Sequence, residues 1–263
     1  ATIRRQRQMC IRDSSLATNL SDIDGNTDAD IYVKDRQTGS VELLSVSESD
    51  GEPNGRSFVP DISADGRYVA FESEASNLVG NDVNAKWDIF VRDRQLGTTE
   101  RISLSAELDN ADDNSFLPKI SADGRYVAFE SFAENLIFGD TNEVADVYVF
   151  DRNFQQTTRA SVPFQVGVDS NDRSLGVSIT DDGQTVVFQS WASNLVPGDD
   201  NGLLDVFLYT LGDASPVRMS QSDGVGGNGE SALPSISGDG SIVVFESVSY
   251  THLDAADEWL RGG

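Results

Sequence analysis

Aspartate and asparagine side chains recur at fixed spacing in four segments of the chain. Each segment carries the pattern Asp-x-Asn-x-x-x-Asp. We call residues 24–30, 82–88, 140–146 and 199–205 acidic loops 1 to 4. Their patterned residues are Asp24, Asn26 and Asp30; Asp82, Asn84 and Asp88; Asp140, Asn142 and Asp146; and Asp199, Asn201 and Asp205. Calcium prefers oxygen ligands from alternate positions of a loop. The pattern therefore predicts that calcium stabilises these loops.

Acidic loop 1 fits this prediction best because Asp28 adds a further carboxylate between Asn26 and Asp30. The other loops have Lys86, Val144 and Leu203 at that position. None has the downstream bidentate glutamate of an EF-hand. The alternative is that these side chains only close turns, since Asp and Asn readily bond nearby backbone groups. The sequence leaves both interpretations open.

Residues for nucleophilic catalysis are scarce. The single cysteine is Cys10 and the single histidine is His252, both near the chain ends. Between them no imidazole can activate a serine and no thiolate is available. Carboxylates suited to glycoside hydrolysis are numerous, but they recur in every repeat, whereas an active site needs one asymmetric cluster. We therefore expect no catalysis, and no cofactor other than calcium, within these residues.

The charge balance restricts the partners. The chain of 263 residues has 44 acidic and 19 basic side chains, a net charge of −25. Such a surface repels nucleic acid and anionic membranes and attracts cations or basic partners. Solubility or adaptation to salt is an equally simple reason for the acidity. No apolar run reaches the 18 residues of a membrane helix, so we expect no membrane insertion.

A repeat positions the acidic loops. The sequence ISADGRYVAFES at 62–73 returns at 120–131, and altered copies lie at 179–190 and 236–247. The serines that begin the copies, Ser57, Ser115, Ser174 and Ser231, lie 58, 59 and 57 residues apart. In the first full copy, β-branched and aromatic residues predict strands at 58–63, 67–73, 88–93 and 99–104. Apolar residues on both faces of 67–73 indicate a strand sandwiched between layers.

Turn residues connect these strands. Asp65-Gly66 and its equivalents predict hairpins, and Ser63 is expected to bond the same turn. Arg36, Arg94 and Arg152 each follow an aspartate, which suits either a row of binding residues or, more simply, weak ion pairs within the hairpins. We expect the aromatic residues at strand spacing to form the core. They are Phe58, Phe71, Phe90, Phe116, Phe129, Tyr148 and Phe207.

Four short antiparallel strands in each unit of about 58 residues predict an all-β fold, a β-propeller of four-stranded blades. Three blades are predicted to be complete, at 57–105, 115–162 and 174–222. Half blades are predicted at 15–47 and 231–247.

Ser-x-Asp-Gly-Arg-Tyr-Val-Ala-Phe, then Asn-Leu, then Asp-Val-Phe-Val-x-Asp-Arg resembles the WD-like repeat of TolB-type propellers. The resemblance covers nearly all of residues 15–247. It implies a bacterial protein that is periplasmic, secreted or at the cell surface, with a binding or scaffold role toward a protein or polysaccharide partner. The alternative is a propeller accessory to a larger hydrolase, a peptidase or glycosidase, whose catalytic part lies outside the fragment.

The two ends depart from the repeat. Residues 1–13 and 248–263 resemble translated sequencing-adapter read-through, carried by RQMCIRDS and VSYTHLDAADE. We therefore expect both to be non-native and residues 14–247 to be a propeller fragment. On that expectation the native N-terminus is missing, and a signal peptide cannot be judged.

Overall fold

The computed structural model describes residues 20–21, 25–222 and 224–247, and throughout these the regular structure is β. The terminal segments 1–13 and 248–263, and Asp24 of acidic loop 1, lie outside the described residues. The strands are β1 (Tyr32–Lys34), β2 (Val41–Leu43), β3 (Ser57–Ile62), β4 (Tyr68–Ser73), β5 (Asp88–Asp93), β6 (Thr98–Arg101), β7 (Ser115–Ile120), β8 (Tyr126–Ser131), β9 (Asp146–Asp151), β10 (Gln156–Arg159), β11 (Ser174–Ile179), β12 (Thr185–Ser190), β13 (Asp205–Thr210), β14 (Val217–Arg218), β15 (Gln221–Ser222), β16 (Val225–Gly226), β17 (Ser231–Ile236) and β18 (Val243–Ser247). In this part of the chain there is no helix that could cross a membrane.

The strands form three four-stranded antiparallel sheets, each a meander in chain order. We call them blade 2 (β3–β6), blade 3 (β7–β10) and blade 4 (β11–β14). The pair β1–β2 is the second half of blade 1, and the pair β17–β18 is the first half of blade 5. These sheets confirm the predicted blades. A separate hairpin, β15–β16, lies between blades 4 and 5.

The fourth strand of blade 2 is shorter than predicted, ending at Arg101. The backbone N–H of Ile102 still donates to the carbonyl of Ile89 at 2.8 Å. At the next step the hydroxyl of Ser103 replaces the backbone, accepting from the N–H of Ile89 at 3.0 Å. The serine hydroxyl therefore takes the place of a backbone acceptor, and the strand pairing ends there. Strand propensity does not reveal this competition between side chain and backbone.

The core lies between blades, because successive side chains of a strand point to opposite faces of its sheet. Val69 and Phe71 of β4 pack in the cluster between blades 1 and 2. Ala70, on the other face, packs in the cluster between blades 2 and 3. Stacked rings such as Phe71 and Phe90, 5.9 Å apart, lie within these layers. Phe58 and Phe116 are corrections to the predicted core, since both are only half-buried at the start of their strands.

The Asp-Gly hairpins have the predicted turn chemistry. The hydroxyl of Ser63 donates to Asp65 at 2.6 Å, and the N–H of Gly66 donates to the Ser63 carbonyl at 2.9 Å. At the next hairpin, Gly124 has φ +75° and lies against the ring of Tyr68, where an added Cβ would come within 2.2 Å of a ring carbon. Only glycine therefore satisfies both the turn and the contact between blades.

Blades converge along their first strands. β3 contacts β7, β7 contacts β11, and β11 contacts β17. Each first strand carries a bulge near its start, with Val59, Leu117 and Leu233 at positive φ and Gly176 in blade 4 at φ +70°. Bulges bend a strand and expose an unpaired backbone group. The neighbouring blade uses that group, as described below.

Candidate functional site: the loop end of the blades

The four acidic loops lie at one end of the blades. In blade 2 the strand register aligns Ser57, Ser73 and Asp88, so the third strand begins where the first begins and the second ends. The acidic loops precede the third strands and therefore cluster at this end, which we call the loop end. The Asp-Gly hairpins lie at the opposite end, which we call the turn end.

Acidic loop 2 closes around a buried arginine. The guanidinium of Arg101, from the end of β6, lies 3.0 Å from the carboxylate of Asp82 and 3.4 Å from that of Asp88. Asp88 is fully buried and also accepts from the Ser103 hydroxyl at 2.5 Å and from the Asn84 amide at 2.9 Å. The same amide donates to the carbonyl of Ala111, in the connection to blade 3. A side-chain cation thus lies between the two carboxylates that calcium was predicted to bridge.

Loops 3 and 4 repeat this arrangement. Arg159 lies 3.2 Å from Asp140 and 3.5 Å from Asp146, and Arg218 lies 3.0 Å from Asp199 and 3.5 Å from Asp205. The partners of the buried aspartates recur as well: Ser161 and Asn142 on Asp146, and Ser220 and Asn201 on Asp205. Among the described residues no group of three or more acidic, histidine or cysteine side chains is arranged to hold a metal ion. Calcium binding at these loops stays a prediction.

Loop 1 departs from the others at the arginine position. The repeat places Leu43 where the later blades have arginine, two residues before the serine that bonds the buried aspartate. That serine is retained, since the hydroxyl of Ser45 donates to Asp30 at 2.6 Å. Asp28 is half-buried in the same loop, and its N–H bonds the Asn26 side chain at 2.6 Å. Loop 1 therefore combines an added carboxylate with the loss of the built-in cation.

The three arginines were missed by the motif search although the signal was present. Arg101, Arg159 and Arg218 recur at repeat spacing, but they lie about 20 residues beyond the start of their acidic loops. A search for ligands within one loop does not reach them. Aligning the fourth strands of the copies would have found both the arginines and the substitution at Leu43.

Burial affects the pKa values of these loops. Desolvation, reinforced by the neighbouring Asp88 carboxylate, raises the pKa of Asp82 to about 6 despite the opposing charge of Arg101. Desolvation likewise raises the pKa of Asp140 to about 6, and there the Tyr148 hydroxyl donates to the carboxylate and opposes the rise. Each arginine therefore offsets only part of the cost of burying two acids.

A row of aromatic side chains crosses the loop end between blades 2 and 3. Phe58 stacks on Trp87 at 5.7 Å, Trp87 lies 6.3 Å from Phe116, and Phe116 meets Phe132 edge-on at 6.5 Å. Phe132 is 41% exposed and the other three are half-buried. Phe58 and Phe116 occupy the same position of the repeat, but the row as a whole depends on Trp87, which has no aromatic equivalent in the other copies. Trp87 is replaced by Ala29, Ala145 and Leu204 in the equivalent positions.

The fold is shared with known proteins. A putative TolB from Agrobacterium tumefaciens matches 86% of this chain and 65% of its own, with TM-score 0.51 and 18% identity. The β-propeller domain of the trilobed protease from Pyrococcus furiosus matches 87% of this chain and 58% of its own, with TM-score 0.51 and 13% identity. An oligogalacturonate lyase in complex with manganese matches 85% of this chain and 54% of its own, with TM-score 0.52 and 9% identity.

The chain is part of a β-propeller. It spans less than two thirds of each of these structures. No protein-family model and no curated protein matches its sequence. At these identities the likeness shows the fold alone.

Arginines also join neighbouring propeller blades at the turn end, which corrects the predicted pairs within hairpins. Arg94 lies 2.7 Å from Glu42 of blade 1, and Arg152 bonds Glu100 of blade 2 at 2.5 Å. The aspartates that precede these arginines bind other residues, Asp93 pairing with Arg67 at 2.6 Å. At the junction of blades 3 and 4 the equivalent positions are Thr158 and Leu211, so both partners are replaced together.

Buried glutamates form a further row between propeller blades. Glu72 of β4 accepts from the backbone N–H of Leu117, in the bulge of blade 3, at 2.7 Å. Glu130 of β8 accepts from the N–H of Gly176 in blade 4. In the next blade Gln189 performs the same task, its Oε1 accepting from Leu233 at 2.7 Å. Strand periodicity gave no indication of this role, because it depends on a bulge in the following blade.

Of the two buried glutamates, Glu130 is the one whose burial most disfavours the charged carboxylate. Desolvation raises its pKa to about 7, and the Glu72 carboxylate adds to the rise while Lys119 opposes it. The pKa of Glu72 is raised as well, chiefly by desolvation. Because the pKa of Glu130 is higher in the folded than in the unfolded chain, its contribution to stability is present below about pH 4.5 and is lost as pH rises through about 7.

Replacing Arg101 with leucine should lower the free energy of unfolding by about 3–5 kcal/mol, because two buried carboxylates lose their cation. Urea unfolding followed by fluorescence measures the loss. The matched control is Arg56→Leu, which removes a 2.6 Å pair with Glu74 whose side chains are 50% and 32% exposed. The control should cost no more than about 1 kcal/mol. Equal losses in the two variants would contradict the central role of Arg101.

Glu130→Gln should stabilise the chain at pH 8 by about 1–3 kcal/mol, since the amide keeps an acceptor for Gly176 without a buried charge. The gain should shrink at pH 5, where the glutamate is protonated in the folded state. Urea midpoints at the two pH values measure this. The reciprocal variant Gln189→Glu should be destabilised more at pH 8 than at pH 5. A pH-independent difference for both variants would refute the account.

Proposed function

We propose that this chain is the non-catalytic, binding part of an exported bacterial protein, and that its loop end presents acidic loops and the aromatic row to a protein or polysaccharide partner. The observation that carries the proposal is the aromatic row itself. Structural features of a repeat recur in every blade, as the buried arginines do in blades 2 to 4. Four adjoining rings occurring at one blade junction are instead expected of a surface adapted to one partner.

The composition of this surface suits recognition. Aromatic residues are enriched in the centres of interfaces, and their rings also stack on sugars and other flat apolar groups. The loop end also carries exposed acids such as Asp112, Glu143 and Asp200. With a net charge of −25, the chain attracts a basic partner more readily than an acidic one. A nucleic acid or an anionic membrane is therefore a poor partner.

Arginine already serves as the cation of loops 2 to 4, which weakens the case for calcium there. We therefore propose that calcium binds at loop 1. Next to that loop, Leu43 at the end of β2 stands where the later blades have arginine, and within the loop Asp28 adds a carboxylate beside Asn26 and Asp30. The ion would hold the loop against the connection to blade 2, where the Asn26 amide already donates to the carbonyl of Pro53 at 3.3 Å.

A second candidate is a propeller that accompanies the catalytic domain of a larger hydrolase. The likeness to the propeller domain of the trilobed protease favours it, although at 13% identity that likeness concerns the fold only. Sequencing the gene beyond both ends separates the candidates. An adjoining peptidase or glycosidase domain supports the second, whereas further blades alone support the first.

Binding is tested by panning a random peptide display library and a polysaccharide array against the whole chain. We expect enrichment of basic peptides, or of one class of glycan, that is lost in Trp87→Ala and Phe132→Ala. The control is Phe154→Ala, which removes a 73% exposed ring beside the turn-end hairpin of blade 3 and should leave binding unchanged. Binding that survives both loop-end substitutions would refute the assignment of this surface.

Millimolar calcium should raise the melting temperature of the chain, and a chelator should reverse the rise. The variant Leu43→Arg supplies loop 1 with the cation of the other loops and should abolish the response. Asp28→Asn should weaken it, whereas Asp109→Asn, outside the acidic loops, should not. Differential scanning calorimetry provides the measurement. A melting temperature indifferent to calcium in the parent chain would refute calcium binding and would leave the proposed binding surface untouched.

A further inference from the structure

The central ring of the aromatic row is enclosed by its neighbours. The planes of Phe58 and Trp87 are 25° apart with their centroids 5.7 Å apart, and those of Trp87 and Phe116 are 36° apart at 6.3 Å. At such angles a ring lies against the face of its neighbour rather than against its edge. Phe58 lies on β3 of blade 2 and Phe116 on β7 of blade 3, so the indole lies between rings from two blades. The part of the half-buried indole that a partner can reach is therefore mainly its edge.

Arginines lie against the tryptophan rings of the loop end as well. The guanidinium carbon of Arg56 lies 5.7 Å from the ring centroid of Trp87. In blade 4, Trp191 stands where blade 3 has Phe132, and the guanidinium carbon of Arg173 lies 4.2 Å from its ring centroid. A cation is attracted to the negative face of an aromatic ring. Both of these tryptophans therefore use a ring face for a contact within the chain.

This geometry distinguishes between the two classes of partner. A sugar stacks its polarised C–H groups on the negative face of an open ring, and such a face is what the indole of Trp87 lacks. The edge of a ring carries the positive end of the quadrupole and contacts oxygen atoms or other apolar groups. A polypeptide supplies both, through its backbone carbonyls and its aliphatic or aromatic side chains. The arrangement of the row therefore favours a polypeptide.

The charges next to Trp87 have the arrangement of a protein interface. Arg56, which lies on the indole, pairs with Glu74 at 2.6 Å, and Lys86, which precedes it in the chain, pairs with Asp113 at 2.9 Å. All four of these charged side chains are partly exposed. Protein interfaces combine an aromatic centre with a polar rim in this way.

We propose that the partner of the loop end is a polypeptide that places an aliphatic or aromatic side chain against the edges of the aromatic row. This inference rests on the proposed function and names the class of partner for the same surface. The exposed acids of the loop end, Asp112, Glu143 and Asp200, attract basic residues on either side of that side chain. The recognised segment thus combines an apolar anchor with flanking lysine or arginine.

A conservative substitution at Phe132 tests the chemistry of the contact. The whole chain is panned against a random peptide display library and a polysaccharide array, and an enriched peptide is synthesised for titration calorimetry. Phe132→Leu keeps an apolar surface without a ring, so the affinity for the peptide should stay within about threefold of the parent, whereas Phe132→Ala should lower it about tenfold or more. A ligand that is lost equally in both variants needs the ring itself and would contradict the proposal.

The variant Phe116→Ala supplies the second measurement, because it opens one face of the Trp87 indole. Affinity for the peptide should fall as the anchor loses a packing surface, while a sugar that stacks on the indole should bind more tightly. Circular dichroism checks that the variant is folded. Enrichment of a glycan that binds more tightly to Phe116→Ala would overturn this inference and uphold the proposed function. Failure of every peptide and glycan to bind, or binding that Trp87→Ala and Phe132→Ala leave unchanged, would refute both.

Discussion

The described structure depends on the neutralisation of one buried aspartate per blade. Asp88, Asp146 and Asp205 are fully buried at the start of the third strand, and each accepts from a serine two residues beyond the end of the fourth strand. An asparagine of the same loop bonds the aspartate and also the backbone that leads to the next blade. An arginine compensates the charge. One carboxylate thereby connects two strands, a loop and the neighbouring blade, which is why its loss would affect more than a single turn.

The fold was predictable from the sequence to the level of blades and strands. The repeat showed the length of one blade in the sequence. Asp-Gly turns and alternating apolar residues then predicted three of its four strands. The fourth strand was predicted too long because Ser103 competes with the backbone for the N–H of Ile89. Phe58 and Phe116 were assigned to the core on their spacing alone, yet they lie at the rim of the loop end and are half-buried.

The candidate site was predictable only in part. Spacing identified the acidic loops, but it could not show that Arg101 enters loop 2 from a different strand. Nor could it show that Glu72 serves the bulge of the next blade, since that contact joins residues 45 positions apart. The aromatic row could not be predicted for the same reason, because it depends on contacts between blades. Its rings come from two blades and become neighbours only when the blades pack.

The arginine–glutamate pairs at the turn end have a consequence for how such a chain can change over time. Each pair has its two members on different blades, and blade 2 carries one member of each, Arg94 and Glu100. A tandem copy of blade 2 would therefore leave every charge paired, whereas a copy of blade 3, which carries Arg152 and Thr158, would leave one arginine without its glutamate. At the third junction both members are uncharged, with Thr158 and Leu211 at the paired positions. Duplication of a whole blade is therefore tolerated best where that blade carries both an arginine and a glutamate, and the charges at the turn end restrict which blades can follow one another.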